Sequence, residues 1–217
     1  MITDLSRKAL LGETSEEKAS IFDVLLIILM LILIVNIFVQ TFWLSPVKVD
    51  GTSMNQTLQN EDWLYMDKLA KPQRGDIVVF KISDTVSYVK RIIALPGDSI
   101  KTVGGNVMLK KGKNATWQIL DEPYAYFDPQ KPQGTYNPYN GNDIPEITLG
   151  EGEMFVLGDN RWGSRDSREI GKVQMDRILG VVPKWAVENK EKYSSYLEFV
   201  ERTNLKIRHL FMKIKEN

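Results

Sequence analysis

The feature that most restricts this chain is an apolar run close to its first residues. Residues 24–35 are twelve apolar side chains without a break, and Asn36, Gln40 and Thr41 are the only polar interruptions before Leu44. At 1.5 Å of helical rise per residue, residues 24–44 reach about 31 Å, enough to cross the hydrocarbon core of a bilayer. Phe42 and Trp43 stand where interfacial aromatic residues anchor a span. A cleaved secretory signal has a shorter apolar core followed by a small-x-small site, whereas "NIFVQTFWLSPVKV" offers bulky residues. A retained transmembrane helix over residues 21–44 is expected, behind a cytoplasmic segment of residues 1–20. Arg7, Lys8 and Lys18 precede the span and only Lys48 follows it closely. The positive-inside rule then places residues 45 onward outside the cytoplasm.

Charge and composition narrow the chemistry. Lys and Arg together number 28 and Asp and Glu 28 among the 217 residues, so net charge gives no reason to expect a nucleic-acid partner. There is no cysteine, which excludes disulfides and thiolate metal sites. The single histidine, His209, lies near the end of the chain. A two-histidine metal site is therefore excluded, and a Ser-His-Asp triad would need that one imidazole.

Past Leu44 the pattern changes to short strands. "VKVD", "DWLYMDKL", "GDIVVFKI", "SYVKRIIAL", "GNVMLKK", "TWQIL", "EMFVLGD" and "RILGVVPKWAV" are rich in β-branched and aromatic residues, with Gly, Pro, Asn and Asp between them. This pattern predicts a mainly β, antiparallel sandwich or partly closed barrel. Residues 121–143 turn to Pro, Tyr, Asn and Gly, which reads as a long loop within an inserted β subdomain. The expected organisation is a first part of the β core over 45–98, the insert over 99–152 and a second part of the core over 153–188. Over the tail, residues 189–217, apolar positions such as Tyr193, Tyr196, Leu197, Val200, Ile207 and Leu210 recur at helical spacing. This amphipathic helix suits either a lipid surface or packing on its own domain.

Three stretches carry candidate chemistry. In "VDGTSMNQTL", Ser53 follows a flexible Gly51-Thr52 lead-in just after a strand, a place for an accessible nucleophile. Without a nearby histidine its proton must go to a carboxylate, a tyrosine or a lysine. A lysine qualifies only if burial lowers its pKa from about 10.4 toward neutrality. In "SYVKRIIALPGD", alternation puts Tyr88, Lys90, Ile92 and Ala94 on one strand face and Arg91 on the other, where it needs water or a carboxylate. The strand alone leaves open whether Lys90 is buried or reaches solvent from an edge. The third stretch, "VLGDNRWGSRDSREIG", gathers Asp159, Arg161, Ser164, Arg165, Asp166 and Arg168. These could cross-link a rigid loop by charge-assisted hydrogen bonds, or form a solvated charge run.

Taken in order, the apolar segment, "GTSMNQTL", "RGDIVVF", "YVKRIIALPGD" and "LGDNRWGSRDSREIG" resemble the bacterial type I signal peptidases of the peptidase S26 family. These are membrane-bound Ser-Lys endopeptidases that remove signal peptides from exported proteins, and the likeness covers about residues 20–185. It implies an all-β catalytic core with an inserted β subdomain, held by one span with the N-terminus cytoplasmic and the catalytic part outside the cell membrane. It implies Ser53 as nucleophile, Lys90 as general base and Ser164 as the serine that orients the lysine. Asp159, Asp166 and Arg168 would form a supporting ion-pair network with Arg91 as partner of Asp159, and Tyr88 beside the lysine. Met54, with Ile92, would wall the cleavage pocket. Substrates would be signal peptides of pre-proteins cut after an Ala-x-Ala type site. No metal or organic cofactor is implied, and the secretion translocase joins the bilayer as a candidate partner. Two positions depart from the pattern. Gln56 replaces the usual proline, and Gly51 stands where some members have a serine that helps bind the oxyanion. The alternative is a related factor dedicated to particular surface proteins such as pilins, acting in assembly without catalysis.

Overall fold

The computed structural model describes residues 20–104, 106–128, 143–199 and 201–202. Two compact units divide the chain after Val39. The first contains most of helix α1, Ile21–Phe42, whose 22 residues are long and apolar enough to cross a membrane and include no buried side chain. Its start is capped reciprocally: Phe22 N–H donates to Ser20 Oγ, and Ser20 N–H donates to the Asp23 carboxylate.

The second unit holds two antiparallel sheets. The larger contains β1 (Leu44–Lys48), β2 (Trp63–Asp67), β3 (Ile77–Lys81), β4 (Ser87–Ala94), β9 (Glu153–Leu157), β10 (Val173–Gln174) and β11 (Ile178–Val182). Its spatial order is β1-β2-β11-β3-β4-β9-β10. Strand β3 lies inside this order, and its Ile77, Val78, Val79 and Phe80 are all buried, as a strand covered on both faces requires. The smaller sheet, ordered β7-β6-β5-β8, comprises β5 (Ser99–Val103), β6 (Asn106–Lys110), β7 (Gln118–Ile119) and β8 (Ile147–Thr148). It falls within the stretch expected to be inserted, yet it does not own a separate core. Ile100, Val107 and Leu109 pack in one cluster with Ile93, Ala94, Phe155 and Leu157 of the larger sheet.

Several elements differ from the sequence reading. Strand β5 and the four-residue helix α2, Ser167–Ile170, fall outside the segments that the pattern marks, as do β8 and β10, which at two residues each have no period to detect. The expected strand "RILGVVPKWAV" stops at Val182, because Pro183 has no N–H to continue the ladder and instead precedes helix α3, Lys184–Glu188. Simple alternation along β4 also fails at its end. The β4–β9 register shifts between Ile92 and Ala94, so Ile93 and Ala94 both enter the core shared with the smaller sheet. In the tail, helical backbone over residues 190–199 packs on the β-sheet unit. The Tyr193 ring lies edge-on to Tyr65 at 5.7 Å and to Trp185 at 5.7 Å, and Leu197 is buried. Arg7, Lys8, Lys18, the loop core 129–142, Val200 and the tail positions from 203 on, with His209, lie outside the described residues.

Candidate active site

Ser53 sits in an irregular loop between β1 and β2. Both ends of the loop are tied: Val49 N–H donates to the Asp62 carbonyl and Glu61 N–H to the Val49 carbonyl. Met54 and Leu58 point into the core, at 1% and 0% exposure, and fasten the loop from below. Gly51 has a φ of 98°, a left-handed conformation in which a serine side chain would be strained. The residue that departs from the family pattern is thus the one this backbone favours.

Opposite the loop, β4 delivers Lys90. Its Nζ donates to Ser53 Oγ at 2.7 Å and to the Val89 carbonyl at 2.8 Å. The side chain is buried, and the Tyr88 ring centroid lies 5.0 Å from Nζ. Burial is the largest influence on this amine and brings its pKa down to about 8; Arg168 pushes in the same direction, while the Asp166 and Asp159 carboxylates oppose it. Ser53, Lys90, Met54, Val79, Tyr88 and Gly163 share the wall of a cleft of about 360 Å³. Ile92, expected at the pocket wall, is elsewhere: it is fully buried among Val78, Phe80, Met154 and Val156. Its neighbours on β3 and β9 cover that position and assign it to the core.

The loop after β9 binds the two sides together. Arg91 donates to both Asp159 oxygens, from Nε at 2.8 Å and Nη2 at 2.6 Å, and from Nη1 to the Gly75 carbonyl. Thr57 of the serine loop donates to Asp159 Oδ2 at 2.5 Å. Next in sequence, Asn160 donates its N–H to the Ser53 carbonyl and its side-chain amide to the Thr52 carbonyl, each at 3.1 Å. Asp166 receives a second fork, from Arg168 Nε at 2.8 Å and Nη2 at 2.7 Å, together with the Gly158 N–H at 2.9 Å. Burial would raise the Asp166 pKa, but the Arg168 hydrogen bonds and charge, aided by Gly158 and the Ser164 hydroxyl, hold it below the ordinary value. Ser164 is therefore placed beside Asp166. A Cβ built on Gly158 would overlap both the Ser164 hydroxyl and the Ser53 carbonyl, so the three residues are in close approach.

Arg165 does not join this interior network. It is 61% exposed at the cleft and pairs with Glu169 at 2.6 Å. Arg161 does join, through a partner the sequence did not suggest. It forks onto Glu122 at 2.9 and 2.7 Å and donates Nε to the Gly158 carbonyl, with the arginine side chain 1% exposed. Tyr124 stacks on the Arg91 guanidinium at 4.0 Å, and Tyr126 exchanges backbone hydrogen bonds with Asp159 and Arg161. Thr57, Asn160, Glu122 and Tyr124 were missed as site residues. Glu122 and Tyr124 lie in a loop whose composition signals only irregular backbone, and no periodic pattern marks their role.

A buried lysine is thus hydrogen-bonded to a loop serine and framed by two buried Arg–Asp pairs. The sequence profile of the family described as "Signal peptidase, peptidase S26" matches residues 21–186. Signal peptidase IB of Staphylococcus aureus (strain Mu50 / ATCC 700699) is 29% identical over 160 residues, covering 69% of this chain and 81% of its own length. Signal peptidase I S of Bacillus subtilis (strain 168) is 32% identical over 152 residues, 68% of this chain and 79% of its own. A solved signal peptidase I from Enterococcus faecalis V583 is 28% identical and covers 52% of this chain and 98% of its own, with a TM-score of 0.42. The chain belongs to the S26 family of signal peptidases.

Proposed function

We propose that this protein is a membrane-anchored serine endopeptidase that removes N-terminal signal peptides from exported pre-proteins, with Ser53 as nucleophile and Lys90 as general base. The observation that carries the reading is the 2.7 Å approach of a buried Lys90 amine to Ser53 Oγ. With a pKa of about 8, the amine is neutral in about a tenth of molecules at pH 7 and in most above pH 8.

In the proposed reaction, neutral Lys90 accepts the Ser53 proton as the oxygen attacks the scissile carbonyl. The resulting ammonium protonates the leaving amine as the peptide C–N bond breaks, leaving an acyl ester on Ser53. Lys90 then takes a proton from water as the water oxygen attacks the ester carbonyl. The ammonium returns that proton to Ser53 Oγ as the ester C–O bond breaks, releasing the carboxylic product and regenerating the neutral amine. Backbone N–H groups at the serine loop, with that of Ser53 foremost, stabilise the oxyanion. Arg91–Asp159 and Arg168–Asp166 hold the two sides in register, and Ser164 orients the amine. Met54 shapes a pocket for small side chains at an Ala-x-Ala type site. Helix α1 serves as the single span, with the β-sheet unit outside the cytoplasm and the translocase nearby. Only ten residues separate Phe42 at the helix end from Ser53. So short a tether raises the local concentration of a cleavage region emerging from the bilayer.

The test is cleavage of a pre-protein bearing Ala-x-Ala by the full chain in lipid or detergent, compared with Ser53→Ala. Cleavage after the second alanine that disappears in the variant supports the reading. Cleavage that persists in Ser53→Ala overturns the nucleophile.

A further inference from the structure

The family match ends at residue 186, and helical backbone resumes at residue 190. Lys190, at the start of that helix, reaches back to the serine loop. Its Nζ donates to the Thr57 carbonyl at 3.1 Å and to Asp62 Oδ2 at 2.9 Å. The pair is mostly buried, with the Lys190 and Asp62 side chains 20% and 17% exposed. Both contacts fall at structural corners of the loop. Asp62 closes its base, accepting from Val49 N–H through its carbonyl and from Gln59 N–H through its carboxylate. Thr57 is the residue whose hydroxyl docks the loop on Asp159. One ammonium thus joins the base of the loop to its docking point on the ion network. Apart from the two bonds at its base, the loop's own backbone bonds are Asn55 N–H to Thr52, Leu58 N–H to Met54 and Asp62 N–H to Gln59. Side-chain ties therefore carry much of its placement.

We propose that Lys190 is a positioning residue for Ser53, which makes the helix beyond the family match part of the working peptidase. The inference rests on Ser53 and Lys90 being nucleophile and base. An exposed ion pair would matter little, but this one is shielded and also holds a backbone carbonyl four residues past the nucleophile. A small displacement of a nucleophile relative to its base lowers turnover steeply, whereas it leaves binding by the rest of the cleft in place.

The experiment uses the full chain in detergent with an Ala-x-Ala pre-protein, and reads kcat per folded molecule and KM for wild type, Ser53→Ala, Lys190→Met, Lys190→Arg and Ser194→Ala. Lys190→Met keeps the aliphatic stem, and Lys190→Gln replaces it if methionine prevents folding. Ser194→Ala loosens the same helix where its hydroxyl receives the Trp63 N–H, away from Thr57. The expected result is a kcat about tenfold lower in Lys190→Met with KM little changed, recovery of most turnover in Lys190→Arg, and wild-type kcat in Ser194→Ala. Equal kcat in Lys190→Met and wild type overturns the inference, as does an equal loss in Ser194→Ala. If Ser53→Ala cleaves like wild type, the nucleophile assignment and this inference fall together. A dead Ser53→Ala beside a fully active Lys190→Met removes this inference alone.

Discussion

Arg91 and Asp159 meet through two parallel hydrogen bonds, and each has a sequence neighbour that touches Ser53: Lys90 precedes Arg91 and donates to Ser53 Oγ, and Asn160 follows Asp159 and donates to the Ser53 carbonyl. The carboxylate is fully buried and also accepts from Thr57. Asp159→Asn would leave the Arg91 guanidinium, 12% exposed, without its counter-charge. Breaking a buried pair from one side costs about 3–5 kcal/mol. Urea melting should register a loss of that order, and turnover should fall even where the protein remains folded.

The Lys90 pKa sets a pH dependence. Because the base must be neutral, kcat/KM should rise with pH and reach half its maximum near pH 8. A flat profile from pH 6 to 9 would remove Lys90 as the base.

The same amine makes a stability prediction of opposite kind. Its pKa is depressed from 10.5 to about 8, so between those values the unfolded chain binds more protons and stability rises with pH. Below pH 8 the folded protein carries the full penalty of a buried ammonium, about 3 kcal/mol. Lys90→Met should be inactive yet more resistant to thermal unfolding at pH 7, and its advantage should shrink as pH rises from 8 to 10.5. Calorimetry across that range measures both.

Gly158→Ala tests the close approach of β9 to the serine loop. The added methyl would meet the Ser53 carbonyl, which is backbone and cannot swing aside, as well as the Ser164 hydroxyl. Relief of such overpacking costs about 1–3 kcal/mol. The displaced loop should lose most of its cleavage activity, measured on the folded fraction.

Glu122→Ala should destabilise by about 3 kcal/mol, because Arg161 is 1% exposed and loses its carboxylate. Replacing both partners, as Glu122→Leu with Arg161→Met, should restore much of that stability in a double-mutant cycle. Recovery in the double variant would show that the cost arises from the orphaned charge rather than from lost contact between the 122–126 loop and the catalytic loop.

What the sequence determined by itself follows from local rules. Twelve consecutive apolar residues leave little alternative to an exposed apolar helix, and α1 forms over Ile21–Phe42. Alternation around Lys90 put it on an apolar face and Arg91 on the other, where Arg91 finds Asp159. The order of motifs identified the family, since its residue types are contiguous in sequence. Other features depend on distances that no local pattern encodes. Whether Lys90 was solvated or buried was decided by β3 and β9 flanking β4, since desolvation is a property of the packed sheet. Ile92 lies in the core instead of the cleft because Val78 and Phe80 of β3 and Met154 and Val156 of β9 cover it, neighbours that no local pattern names. Glu122 reaches Arg161 across 39 residues, and Lys190 reaches Thr57 across 133. Such pairs are invisible in one sequence, where an acid in a loop or a lysine on a helix looks solvated. Only the tertiary structure supplies the low-dielectric surroundings and fixed geometry that turn them into ties on the loops around Ser53.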